Sequence, residues 1–266
     1  MVEGRPQLHL FYLFLLLLVW PNVVIANNNK NDEVRMGTTI VALKCQDGVI
    51  VGADTRTSTG SMVSNRFAHK LSMIYQQGPV SCVLCRSGSA ADTQFLADHA
   101  RWTFDNDATT DRVSVTQMAQ WLKCVIRGNP RYSASLLCVG YDPNTQGKIY
   151  SIAQSGAMME EPIYAAAGSG STYILGLMDE ACRPQLLKEQ DAIDLVAKLV
   201  HGAMARDGSS GGMARITIMN QRGYKEIVVP PPQEGGDTSA ESPTQLKGFQ
   251  AAATTRLNTS PAFVGK

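Results

Sequence analysis

Two apolar runs that fold back on each other set the frame for this chain. Thr38 to Lys44 reads TTIVALK, a β-branched stretch suited to a buried strand, and Gly48 to Asp54 reads GVIVGAD, a second. Gln46-Asp47-Gly48 between them is a hairpin signal, because an Asp-Gly pair accepts positive φ. Pairing the runs brings Asp54, at the far end of the second, back beside Thr38 at the start of the first. The first run begins at Gly37-Thr38, where a leader meets a compact domain. The expectation is that the Gly37–Thr38 bond is cut, so that Thr38 becomes a new N-terminus with its hydroxyl as nucleophile and its own amine as base.

The leader is residues 1–37, and its centre, Leu8 to Trp20 (LHLFYLFLLLLVW), is the most apolar run in the chain. With Arg5 before it and Val24-Ile25-Ala26 after it, the run has the layout of a secretory signal peptide. It falls short of the ~20 apolar residues a membrane-spanning helix wants. Asn27 to Glu33 is polar and reads as a linker. Signal peptide, membrane-proximal anchor and protective propeptide all stay open, with the propeptide preferred. No stable membrane insertion of the mature chain is expected.

The body, residues 38–229, has the composition of an ordinary globular domain; the whole chain is 44% hydrophobic and 18% charged, with a formal net charge of +1. That balance removes a broad electrostatic case for nucleic acid. The six cysteines mostly fall in apolar runs, which suits buried thiols rather than a disulfide framework. Cys82 and Cys85 have C-x-x-C spacing, but in a strand residues three apart point to opposite faces, so no metal is expected between them. No cofactor is expected.

Further strands are expected at Lys70–Ile74, Val80–Cys85, Ser135–Tyr141, Lys148–Ala153 and Pro162–Ala167. Thr55 to Ser61 reads as a polar loop. Gly88 to Asp92 opens a helix with Ser89 as N-cap, Asp92 in a capping-box position, and Ala91, Phe95, Leu96, His99 and Trp102 on its buried face. His99 reads as a core or rim residue, not a base. Val113–Arg127 gives a second helix, with Met118, Trp121, Leu122 and Val125 on one face. Gly168-Ser169-Gly170-Ser171 opens a third, Thr172–Cys182, and lacks the lysine and spacing of a phosphate cradle. Asp191–Arg206 is amphipathic through Ile193, Val196, Ala197, Val200 and Met204. A hairpin, Ala214–Met219 and Tyr224–Val229, closes the domain. Strands, paired helices, strands, paired helices and strands suit an α+β fold of two stacked sheets with helices on both outer faces. Residues 230–266 form a Pro/Gly/Ser/Thr-rich tail with a sequon at Asn258.

A threonine hydroxyl is a poor nucleophile unless a base lies close by. A free α-amine titrates near ~8 and can take its proton; inside a peptide bond the same nitrogen cannot. Cleavage before Thr38 would therefore be the activation step. Taken singly, Asp54 and Lys70 read more simply as solvated strand-end charges. Their placement with a Gly-Thr junction and two Gly-Ser loops changes that reading.

In order, Gly37-Thr38-Thr39-Ile40-Val41, Gly52-Ala53-Asp54-Thr55-Arg56, Lys70-Leu71, Gly88-Ser89-Ala90-Ala91-Asp92, Gly168-Ser169-Gly170-Ser171 and Asp207-Gly208-Ser209-Ser210-Gly211-Gly212 resemble a proteasome core-particle beta subunit. The run from Cys85 to Gln94 is similar to the caspase-like subunit. The resemblance implies the four-layer αββα sandwich of N-terminal nucleophile hydrolases and a threonine endopeptidase cutting unfolded proteins after acidic residues. It implies Thr38 as nucleophile, Asp54 and Lys70 as partners, Ser169, Asp207 and Ser210 as supporting network, and the Gly88 amide as oxyanion donor. It implies a substrate pocket at Arg86, Thr57, Ala68, Ser72 and Ala90, with Arg86 meeting an acidic P1 side chain. Partners would be other alpha and beta subunits in stacked rings, in cytoplasm and nucleus. The sequence departs from the family in a short insertion around Gln76-Gln77-Gly78-Pro79 and in Phe67-Ala68-His69, where Ala68 replaces a pocket threonine. Two other readings stay open: a non-catalytic ring subunit, and a secreted N-terminal-nucleophile amidohydrolase.

Overall fold

A computed structural model describes residues 37–59, 62–105, 113–182 and 186–232. The apolar run at 8–20, the linker at 27–33 and the sequon at Asn258 lie outside the described residues, as does the tail beyond 232.

Strands β1 (Ile40–Cys45) and β2 (Gly48–Asp54) pair in the expected hairpin, Ile40 opposite Ala53. Their sheet continues through β11 (Ala214–Asn220) and β12 (Gly223–Val229) on one side and β10 (Tyr164–Ala167) on the other, in the order β10-β1-β2-β11-β12. The second sheet runs β5-β6-β7-β8-β9: Leu71–Gln77, Val80–Gly88, Ala134–Asp142, Gln146–Ile152 and Met158–Glu160. Both are antiparallel throughout. The polar stretch after Asp54, read as a loop, carries instead a small separate ribbon, β3 (Thr57–Thr59) with β4 (Met62–Asn65).

Four helices complete the layers: α1 (Ala90–Asp105), α2 (Val115–Gly128), α3 (Leu175–Ala181) and α4 (Glu189–Arg206). Alternation along β2 assigns the layers. Ile50 faces α3 and α4, packing with Met178, Val196, Leu199 and Val200, whereas Val49 and Val51 face the second sheet and meet Val83, Leu137, Val139 and Ile149. Beyond that sheet, Leu84, Leu136, Cys138 and Ile152 pack under α1 and α2 with Leu96, Met118, Leu122 and Ile126. β2 is buried on both sides, which is why its run is apolar without alternation. The result is the expected αββα sandwich.

Cys82 joins the helix-side core and Cys85 the inter-sheet core, so the C-x-x-C pair does face opposite ways. All six cysteines are free; Cys124 alone of them is exposed.

Three local expectations are corrected. The buried face of α1 is Thr93, Leu96, Ala97, Ala100 and Phe104, while Phe95 and Trp102 are 53% and 67% exposed. The small Ala97 and Ala100 let α1 approach the sheet, and that turns the bulky aromatics outward. Ser89 Oγ accepts from the Asp92 amide at 3.4 Å, but the Asp92 carboxylate accepts from the Ser133 amide instead of returning to Ser89. The reciprocal capping box belongs to α2, between Ser114 and Gln117. The third helix begins as a 3₁₀ turn, Ser169–Tyr173, before α3.

Candidate active site

The hairpin returns Asp54 to the start of β1, as its register requires. Asp54 is fully buried, and donors surround its carboxylate. Oδ1 accepts from the Thr39 amide at 2.9 Å and from Lys70 Nζ at 2.7 Å; Oδ2 accepts from the amides of Gly211 at 3.0 Å and Arg56 at 3.3 Å. Lys70 immediately precedes β5, and its side chain is only 8% exposed. A buried ion pair is tolerated when its remaining hydrogen-bonding capacity is largely filled; here Asp54 accepts four bonds and Lys70 Nζ donates two, one to Asp54 and one to the Gly37 carbonyl. Burial pulls the Lys70 amine below the ordinary lysine range, and the charge and hydrogen bond of Asp54 oppose that pull.

The same ammonium donates to the Gly37 carbonyl oxygen at 2.9 Å, and the Thr38 hydroxyl donates to that oxygen at 2.8 Å. The bond expected to be cut is thus bracketed by the expected nucleophile and a buried cation. A Cβ at Gly37 would collide with Ser209, so the crowding there comes from the 207–211 loop.

On the other side of Thr38 lies a chain of hydroxyls. Thr38 N donates to Ser169 Oγ at 3.2 Å; Ser169 Oγ donates to Asp207 Oδ2 at 2.6 Å, and so does Ser210 Oγ at 2.6 Å. Both serines spend their hydrogen on Asp207, so their lone pairs are left to accept, Ser169 from Thr38 N and Ser210 from Thr39 Oγ1 at 2.8 Å. Burial works against the Asp207 carboxylate. The bonds from Ser169, Ser210 and the Ser209 amide, with the Arg56 charge, outweigh it and hold Asp207 below the usual carboxylate range.

Gly168 makes this approach possible. Its φ is 87°, a conformation open to glycine, and a Cβ there would strike the Thr38 carbonyl. Gly170 N donates to the Thr38 carbonyl at 3.2 Å, so the Gly-Ser turn wraps the nucleophile's own backbone.

Strand alternation bears on Gly88, the expected oxyanion donor. Arg86 donates its amide to the Lys70 carbonyl at 2.8 Å, on the β5 side of β6. Gly88, two residues on, aims its amide the same way, past the start of β5. Its φ of 108° and the nearness of the Ser133 carbonyl exclude a side chain.

The residues expected to line a substrate pocket are less tightly gathered. Arg86 is half-buried, donates from Nη2 to the His69 carbonyl, and keeps a buried Nε without a partner. Burial lowers the pKa of its guanidinium; Asp98 and Arg101 of α1 act on it in opposite senses. Thr57, Ala68 and Ser72 are half-buried and Ala90 is exposed at the start of α1. Ala68 is tied through its amide to the Thr55 carbonyl at 2.8 Å.

Two partners escaped the sequence reading. Thr39 uses both its amide and its hydroxyl in the network, and Arg56 reaches the loop that carries Asp207. Only the Gly-Ala-Asp-Thr-Arg motif hinted at the second. A separate cavity lined by Lys44, Cys45, Gly147, Lys148 and Leu186 lies at the opposite, hairpin end of the sheets and holds no comparable pairing of nucleophile and base.

Comparison with known proteins bears on this geometry. A family profile described as "Proteasome subunit" matches residues 34–219. The chain is 36% identical over 203 residues to proteasome subunit beta type-6 of Dictyostelium discoideum, covering 75% of this chain and 92% of that one. It is 35% identical over 207 residues to proteasome subunit beta type-1 of Saccharomyces cerevisiae, covering 77% and 94%. It is 39% identical over 208 residues to a probable proteasome subunit beta type-1 of Schizosaccharomyces pombe, covering 75% and 87%.

Proposed function

We propose that this chain, which belongs to the proteasome beta-subunit family, is a catalytic member: a threonine endopeptidase that cuts its own Gly37–Thr38 bond and then cleaves polypeptides after acidic residues. The αββα fold of N-terminal nucleophile hydrolases is the family's. The observation that carries the catalytic reading is the Gly37 carbonyl oxygen, which accepts from the Thr38 hydroxyl at 2.8 Å and from Lys70 Nζ at 2.9 Å, with Asp54 behind the lysine. A non-catalytic ring subunit has no need for a buried ion pair aimed at that carbonyl.

In self-cleavage, the Thr38 oxygen attacks the Gly37 carbonyl carbon, and Lys70 Nζ steadies the charge that forms on the carbonyl oxygen. The C–N bond breaks as the C–O bond forms; the hydroxyl proton passes to Thr38 N, which leaves with that proton and its own hydrogen as the free amine. Water then releases the Gly37 carboxylate from the ester. In the mature chain the amine, titrating near ~8, takes the hydroxyl proton as Thr38 attacks a substrate carbonyl. Ser169 and Asp207 orient that amine and stabilise its protonated form. Lys70 favours the developing alkoxide, Asp54 keeps Lys70 charged, and the Gly88 amide receives the substrate oxyanion. Water finally hydrolyses the acyl-enzyme.

Arg86 is the P1 anchor in this reading: its guanidinium, already desolvated, pairs with a substrate carboxylate. Thr57, Ala68, Ser72 and Ala90 form the walls, and Ala68 widens the pocket relative to a threonine. The chain works inside stacked rings with other beta and alpha subunits, in cytoplasm and nucleus, and residues 1–37 are its propeptide.

The test is peptide hydrolysis by assembled particles containing this chain. Asp-P1 peptides should be cut faster than Leu-P1 peptides, and Thr38→Ala should abolish the Asp-P1 activity that depends on this chain. Arg86→Ala should cut kcat/KM for the Asp-P1 peptide by about 10-fold or more while changing the Leu-P1 peptide little. Undiminished Asp-P1 hydrolysis in Thr38→Ala particles would remove the catalytic reading.

A further inference from the structure

Arg56 lies two residues past Asp54, and its side chain has no part in the steps above. Its Nη2 donates to the Gly208 carbonyl and to the Ser210 carbonyl, the latter at 2.5 Å. Those two carbonyls belong to the loop whose side chains at 207 and 210 form the hydroxyl network. The backbone on either side is joined as well. Thr55 N and Arg56 N both donate to the Gly211 carbonyl, at 3.2 and 3.0 Å, and Gly211 N returns to Asp54 Oδ2 at 3.0 Å. The guanidinium lies so close to Gly211 that a Cβ there would stand 2.7 Å from Arg56 Cζ.

We propose that Arg56 is a positioning residue for the Thr38 reaction: by collecting the carbonyls of Gly208 and Ser210 on one guanidinium, it sets the curvature of the 207–211 loop and so the register of Asp207 and Ser210 against Ser169, Thr38 and Thr39. The proposal rests on Thr38 being the nucleophile. A loop rich in glycine and serine has little stiffness of its own, and the next segment, at Gly212, adopts a φ of 86°. Without the clamp, the Gly208 and Ser210 carbonyls would turn to water, and the Asp207 carboxylate next to Gly208 would move with them. The flat guanidinium matters as well as the charge, because it lies against Gly211 while one of its nitrogens, Nη2, takes both carbonyls. A lysine ammonium at this position would carry the charge, yet it could not lie flat on Gly211 while bridging two carbonyls in one plane. The charge acts in the same direction, since Arg56 helps keep the Asp207 carboxylate ionised.

The experiment compares assembled particles carrying wild-type chain, Arg56→Lys, Arg56→Met and Gly211→Ala, measuring kcat and KM on an Asp-P1 peptide. A displacement of about 1 Å in such a network costs up to ~100-fold in rate. Arg56→Met should therefore lose about 10-fold or more in kcat with KM within about twofold, and Arg56→Lys should recover only part of the loss. Gly211→Ala, which pushes on the guanidinium without removing it, should fall between Arg56→Lys and wild type. Wild-type kcat in Arg56→Met or Arg56→Lys particles overturns the proposal, as does a change confined to KM. Should Arg56→Met fail to assemble, Arg56→Lys and Gly211→Ala decide the matter on the same criteria. Wild-type particles without Thr38-dependent hydrolysis would defeat the catalytic reading and this proposal together; active wild-type particles with unaffected Arg56 variants would defeat this proposal alone.

Discussion

Lys70 and Asp54 form the least replaceable pair among the residues of the site, because each is buried and each satisfies the other. Lys70→Met leaves the Asp54 carboxylate beside apolar carbon, and removing one partner of a buried pair costs about 3–5 kcal/mol. The double variant Lys70→Met with Asp54→Asn should be less destabilised than Lys70→Met alone in denaturant unfolding, although both are inactive. Asp207 gives the pH dependence. Its folded pKa lies below the usual 3.8, so its stabilising contribution is complete above the usual carboxylate range and is lost as pH falls through the lowered value. Thermal melts should therefore fall below about pH 4, and Asp207→Asn should flatten that part of the curve. Asp54 was legible in the sequence because a hairpin fixes which residue lies opposite which. Thr39 was not legible as a member of the network. Its hydroxyl meets Ser210, 171 residues on, and nothing in a β-branched run announces such a partner.

Elements were read better in their order than in their faces. The sheet and helix sequence followed from apolar runs and turn signals, but helix α1 shows where periodicity falls short. Its aromatics fit a helical stripe in the sequence, yet the sheet is met by the stripe containing Leu96, Ala97, Ala100 and Phe104. When two stripes are available, the one with small residues packs closer to a twisted sheet, and one-dimensional spacing does not rank them. This separates two substitutions. Leu96→Ala should cost about 2–5 kcal/mol by opening a cavity, whereas Phe95→Ala, at a half-exposed position, should cost roughly 1 kcal/mol or less. Comparable losses at the two positions in urea unfolding would mean that α1 is rotated from the arrangement described. The β3–β4 ribbon was missed for a related reason: Thr55 to Ser61 is polar enough to read as loop, and β4, which follows it, is exposed along its whole length.

At the scale of the whole molecule, the two sheets and their helical layers bring six hydrogen-bonding residues, drawn from positions 38 to 210, around one peptide bond. No element does this alone. The approach to β1 presents Thr38, the end of β2 presents Asp54, the approach to β5 presents Lys70, the 3₁₀ turn supplies Ser169, and the loop after α4 supplies Asp207 and Ser210. Motif order along the chain made part of this gathering legible: the Gly168 turn and the 207–211 loop mark junctions where backbone comes close to Gly37 and Thr38. The residues proposed for the pocket were placed only by resemblance, because side chains such as Arg86 take their direction from neighbours in the next layer. In the reading proposed above, this assembly cuts one bond in its own chain. Self-cleavage is read directly from the N-terminal sequence and intact mass of the chain recovered from assembled particles, wild type beside Thr38→Ala. The wild-type chain should begin at Thr38, and in the variant the peptide bond after Gly37 should be intact. A wild-type chain that keeps Gly37, or a variant cut at the same bond, would contradict that reading.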